Sequence, residues 1–333
     1  MKICCPGFVD LQVNGFAGVD FNTPGCSNAA FQTAFAAMRA TGVTRCLPTL
    51  ITSSLDRFAA CASAVAGFRD PMNAGIHMEG PYISPLDGPR GVHARADVIP
   101  ASWEDFQRRQ DAAGGRIVLV TLAPEVPGAL PLIERLVEHH VRVAVGHSTA
   151  SREQLRAAVS AGATLSTHLG NGCAAMLPRH DNVLWEQLAA DGLSASLIAD
   201  GYHLPPSVLK VMVRAKGVDR AILVTDATAA ARAPAGRYWL GVQEVQGHDA
   251  DRVTLPGQAQ LAGSGLALDT AVGNVVRFGA ATLEEALAMA SVNPARFMGL
   301  APAGQVEGEW DPVRNLLTIE NVHLDAAVPD LQT

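Results

Sequence analysis

Eight short runs rich in aliphatic and β-branched residues, most of them closing on a polar residue, alternate along this 333-residue chain with amphipathic stretches. No other feature restricts the fold so strongly, because alternating strand and helix periods build parallel sheets with helical crossovers. The runs lie at 7–13 (GFVDLQV), 43–50 (VTRCLPTL), 75–79 (GIHME), 116–122 (RIVLVTL), 141–147 (VRVAVGH), 164–168 (TLSTH), 194–200 (SASLIAD) and 220–226 (RAILVTD). Helical patterns at 128–140, 151–162 and 205–216 separate later runs, the last opened by Pro205 and Pro206, which suit a first helical turn. Eight such units predict an α/β protein, a (β/α)8 TIM-like barrel. A doubly wound open sheet alternates in the same way, and the placement of polar residues decides between them.

Beyond 226, the alternation in YWLGVQEV and DRVTL predicts a hairpin excursion within 232–262, and helices at 266–279 and 283–299 complete the wall. LLTIENVHL predicts strands within 304–326. The expected organisation is a barrel over 6–303 and a small, reduced C-terminal β module over 304–333.

Hydrophobic residues at 48 % and charged residues at 17 % provide ample material for such a core. A formal charge of -7, with no Lys/Arg run longer than two, argues against a nucleic-acid partner. No window reaches the roughly 18 apolar residues of a membrane span, and MKICCPGFVD lacks a signal peptide's apolar stretch, so the expected location is the cytoplasm. The six cysteines form no C-x-x-C pair and read as reduced thiols.

In a barrel of this kind the functional groups sit at the C-terminal ends of the strands. Here those ends carry Glu79, His147, His168 and Asp226. Two imidazoles and one carboxylate with a fourth position open describe a catalytic site for one divalent metal, zinc first, with iron, cobalt and manganese also suited. A lone strand-end histidine is more often a hydrogen-bonded core residue; four polar groups at the ends of four strands reverse those odds. Bound metal activates water and polarises a carbonyl, and Asp226 is placed to move the proton, although Asp before Ala-Thr also reads as a helix cap.

These residues fall in segments that resemble the amidohydrolase superfamily and, within it, N-acetylglucosamine-6-phosphate deacetylases. The segments are PGFVDLQVNG (6–15), HMEGP (77–81), GHS (146–148), THLGN (167–171), IADGYH (198–203), LVTDA (223–227) and LAGS (261–264), and the resemblance spans about Pro6 to Asp311. It implies Glu79, His147 and His168 as metal ligands and Asp226 as catalytic acid and base. It implies one metal, because Gln12 and Asn14 stand where the superfamily often places His-x-His, and amides are poor zinc ligands beside imidazole. It also implies His93 near the substrate carbonyl, through a loop two residues longer than the pattern; an exposed loop histidine is the alternative. For the phosphate it implies Asn171, the Gly172 backbone, Arg179 and His203, with Arg179 reaching in from the second subunit of a homodimer. An ordinary surface arginine is the alternative there. Gly263 and Ser264 would place backbone donors against the sugar, or simply form a turn before a helix.

Two departures stand out. The family's Asn-Ala-Met becomes Asn-Gly-Cys-Ala-Ala-Met at 171–176, and only five residues precede Pro6 where members carry several dozen that build most of a β sandwich. Either that sandwich is reduced to what 304–326 can build, or the start lies upstream and strand edges are exposed. The expected activity is hydrolysis of N-acetylglucosamine-6-phosphate to glucosamine-6-phosphate and acetate. The alternatives are another N-acyl amine or cyclic amide, and a catalytically inactive binding barrel.

Overall fold

The computed structural model describes residues 1–301 and 304–325, and in it each of the eight runs contains a strand. They are Phe8–Val13, Val43–Ile51, Ile76–Glu79, Ile117–Leu122, Arg142–Val145, Leu165–Ser166, Ser194–Leu197 and Ala221–Leu223. All pair in parallel, in chain order. The first and eighth then meet through the Val13–Ala227 bridge, with Asp226 N donating to Gln12 O at 2.9 Å and Asn14 N to Ala227 O at 2.7 Å. This closure makes the sheet a barrel, not an open doubly wound sheet. The first two strands are buried at every position, because helices cover the face that the barrel interior does not.

Helices begin where the sequence supplies a side-chain acceptor for a free backbone N–H: Ser27, Ser54, Ser102, Ser151 and Thr282 each accept one, and Asn182 accepts two. The predicted helix 283–299 is two helices, Leu283–Ala290 and Val292–Met298. Pro294 lacks the N–H that would continue the ladder, and the chain turns at Ser291 (φ -128°, ψ -76°), whose hydroxyl donates to Leu287 O at 2.6 Å. The hairpin excursion is present as Gly236–Leu240, Gln243–Gly247 and Val253–Thr254.

The tail forms strands Gln305–Asp311 and Leu316–His323, which bury Val306, Trp310 and Leu317. Lys2–Pro6 joins them as a third, antiparallel strand, so this small sheet takes residues from both ends of the described chain. Residues 302–303 and 326–333 of the predicted barrel and module lie outside the described residues.

One buried carboxyl helps close the barrel. Asp10 Oδ1 accepts from the Gln12 and Thr225 amides, both at 3.2 Å, and Oδ2 lies 2.6 Å from Thr225 Oγ1. Burial pushes this acid from 3.8 up to about 7, against those hydrogen bonds. The folded chain therefore holds the proton more tightly than the unfolded one. The stability this contributes is whole below about pH 4 and is lost as pH rises through about 7. Asp10→Asn keeps an oxygen for the two amides but has no such proton. The stability of the wild type relative to this variant is expected to fall by roughly 2–3 kcal/mol between pH 5 and 8 in urea titrations. A constant difference across that range would show that Asp10 ionises as an ordinary carboxyl.

Candidate active site

Glu79 ends the third strand, while His147, His168 and Asp226 follow the fifth, sixth and eighth by two or three residues. All three of those take left-handed backbone angles, with φ of 52°, 30° and 49°. For a non-glycine residue that conformation costs on the order of 1–3 kcal/mol, and such strain collects where side-chain direction matters more than local comfort. It turns the side chains back over the barrel mouth, where Glu79, His147 and His168 are buried and Asp226 is half-buried.

Glu79 Oε1 lies 3.1 Å from His147 Nε2 and 2.9 Å from His168 Nε2, and the two nitrogens are 3.0 Å apart. His147 Nδ1 is 2.8 Å from Pro89 O and must donate to it, because a carbonyl only accepts; in the neutral ring the lone pair then sits on Nε2, facing inward. Two imidazole nitrogens and a carboxylate oxygen thus converge from three strands. Tetrahedral zinc with bonds of 2.0–2.1 Å would hold its ligands about 3.3 Å apart, close to this triangle, and the donor set suits a divalent cation. Burial pushes Glu79 up, but the two imidazoles outweigh it and hold the acid well below its usual range.

Gln12 and Asn14, read from sequence as replacements for metal ligands, each hold a carboxylate. Gln12 Nε2 donates to Glu79 Oε1 at 2.9 Å, and Asn14 Nδ2 donates to Asp226 Oδ1 at 2.7 Å. Since a carboxylate only accepts, their amide nitrogens are committed. Burial first, and then the charge of Glu79, pushes Asp226 up to about 6, near where a group must sit to take and return a proton at neutral pH.

His93 is buried, not an exposed loop residue. Its ring lies 4.4 Å from that of His147, and Nδ1 is 2.8 Å from Thr52 Oγ1. Burial foremost, then His147, lowers it to about 3 and keeps the ring neutral. The 84–95 loop therefore touches His147 through Ser84 N, which donates to His147 O at 3.0 Å, through Pro89 and through His93.

The 171–172 turn packs against the same ring. A Cβ on Gly172 (φ 58°) would lie 2.9 Å from His147 Nδ1, so only glycine fits, and Asn171 Nδ2 donates to His168 O at 3.1 Å. His203 is oriented by Asp200, whose Oδ2 lies 2.6 Å from Nδ1 and whose Oδ1 accepts from the Tyr202 and His203 amides. Ser264 Oγ donates to Thr225 O and accepts from Leu266 N, and its N–H donates to Asp226 O at 2.9 Å, so the buried Ser264 fixes the turn and leaves the Gly263 backbone to face a ligand. Gly263 (φ 60°) lies where a Cβ would meet Thr228. Arg179 is exposed, and its side chain makes no hydrogen bond or ion pair among the described residues.

Sequence reasoning passed over Thr52, Pro89 and Asp200. Thr52 is the polar residue just past the second strand and Asp200 lies inside IADGYH, so both carried a signal; Pro89 acts through its carbonyl and carried none.

A closed barrel with this ligand triad defines a class. The chain belongs to the amidohydrolase family, metal-dependent enzymes whose family model matches residues 3–317. It is 33 % identical over 315 residues to N-acetylglucosamine-6-phosphate deacetylase of Lysinibacillus sphaericus, covering 93 % of this chain and 80 % of the relative. It is 34 % identical to N-acetylgalactosamine-6-phosphate deacetylase of Escherichia coli O157:H7, covering 90 % and 79 %. The fold matches the crystal structure of N-acetyl-D-glucosamine-6-phosphate deacetylase from Mycobacterium smegmatis with a TM-score of 0.89 at 30 % identity, over 97 % of this chain and 86 % of that one.

Proposed function

We propose that this amidohydrolase removes the acetyl group from an amino-sugar 6-phosphate, converting N-acetylglucosamine-6-phosphate to glucosamine-6-phosphate and acetate. The observation that carries the reading is the convergence of Glu79, His147 and His168 beside Asp226, in a chain whose relatives bear that activity. Glu79, His147 and His168 would hold one divalent ion, zinc, which when bound polarises the carbonyl and activates water. Asp226 takes the proton of the attacking water and returns it to the nitrogen as the C–N bond breaks. His93 stands beside the carbonyl oxygen and donates to it as charge develops. Gln12 and Asn14 give their amide nitrogens to carboxylates, and their amide oxygens are poor zinc ligands beside imidazole, so a single ion is the reading.

Asn171, the Gly172 backbone and His203 would hold the phosphate, and the Gly263 backbone, in the turn that Ser264 fixes, the sugar ring. The free guanidinium of Arg179 serves the phosphate of a neighbouring subunit in a homodimer. A sugar phosphate dianion does not cross a bilayer unaided, which places this reaction in the cytoplasm. Deacetylation assays with N-acetylglucosamine-6-phosphate, its galactosamine epimer and the unphosphorylated sugar test the reading. Zinc-loaded protein that releases no acetate from either phosphorylated sugar overturns it.

Arg179→Ala is expected to raise KM for the phosphorylated sugar about tenfold or more, the worth of a charge-assisted contact, with little change for the unphosphorylated one. An unchanged KM would remove Arg179 from the phosphate site.

A further inference from the structure

Thr52 follows the second barrel strand and is buried, as is His93. Its hydroxyl lies 2.8 Å from His93 Nδ1 and 3.4 Å from Glu79 O. Of the two acceptors within reach the ring nitrogen is the nearer, 3.4 Å being beyond the roughly 2.5–3.0 Å of a formed O–H···O bond, and the hydroxyl's one proton is assigned to it. A ring nitrogen that accepts carries no proton, which leaves the single imidazole proton on Nε2. The hydroxyl reaches this position because residue 80 is glycine: a Cβ there would lie 2.1 Å from Thr52 Oγ1. His93 itself lines an open cleft of ≈ 330 Å³ between the 87–95 loop and Val242, Gln243, Leu255 and Gln260.

We propose that Thr52 is a positioning residue that sets His93 as the Nε2–H tautomer, so that the ring donates to the substrate carbonyl oxygen instead of turning a lone pair toward it. The inference rests on the proposed function for the identity of that oxygen. With the other tautomer, a lone pair would face the oxygen as negative charge develops, and the site would repel what it must stabilise. The hydroxyl alone matters here. Valine at position 52 keeps the shape and loses the effect, while serine retains it.

Two measurements on zinc-loaded, 15N-histidine-labelled protein test this. The first is the imidazole tautomer by long-range 15N–1H correlation, with the His93 signals assigned by their loss in His93→Gln. The wild type and Thr52→Ser are expected to show Nε2–H, and Thr52→Val a shift toward Nδ1–H. The second is steady-state deacetylation. Thr52→Val is expected to lower kcat roughly 100-fold, the worth of one oxyanion donor, with KM within about twofold, equal metal content and rescue by Thr52→Ser. A wild-type Nδ1–H signal, or a Thr52→Val variant with unchanged kcat, overturns the proposal. Absence of activity in the wild type on every sugar tested overturns the proposed function instead, and the tautomer measurement still decides the role of Thr52.

Discussion

Asp226→Asn is expected to leave the barrel folded and the metal stoichiometry unchanged while lowering kcat by about a thousandfold, within the range measured for positioned acid–base groups. The side chains have the same shape, and the amide oxygen can still accept from Asn14 Nδ2, which now donates to Asp226 Oδ1 at 2.7 Å. What asparagine lacks is a site that takes a proton from water and hands it to the departing amine. Desolvation raises the half-buried Asp226 to about 6, which suits it to that exchange near neutral pH. The measurement pairs kcat with metal analysis of the same preparation. Turnover within tenfold of wild type, at equal metal content, would remove Asp226 from the proton path.

Loss of one ligand should act through the metal. His168→Ala leaves two of the three converging groups, below the three that catalytic zinc sites keep, so metal content should fall from about one per chain to near zero and turnover below detection. Stripping the wild type with a chelator should do the same reversibly, and added zinc should restore activity to the wild type and not to the variant. The stripped protein should also melt lower, since an ion present at about a thousand times its Kd stabilises the folded state by roughly 4 kcal/mol. A wild type that binds two ions per chain would overturn the single-ion reading of Gln12 and Asn14, and a His168→Ala variant with full metal content would break the ligand set.

The sequence by itself determined the period and the polarity of the elements. Alternation of strand and helix patterns is written in neighbouring residues, so all eight barrel strands and the hairpin at 236–254 were legible, and the strand-end rule alone picked out Glu79, His147, His168 and Asp226. The break at Ser291 escaped because an apolar period runs through it and only Pro294 marks it. Lys2–Pro6 escaped as a strand because its partner, Gln305–Asp311, lies at the far end of the chain. Only the tertiary structure decided what the polar residues do to one another. Gln12 reaches Glu79, Asn14 reaches Asp226, Asp10 ties the first strand to Thr225, and Thr52 meets His93, all across separations no local pattern encodes. The reason is geometric: closing the barrel brings the ends of distant strands to one mouth, where burial favours pairing of donors with acceptors, though Gln12 Oε1, Asn14 Oδ1 and His168 Nδ1 have no partner among the described residues. The Glu79–His147–His168 cluster could be read from residue types at strand ends, but the partners that orient it exist only once the strands close into a ring.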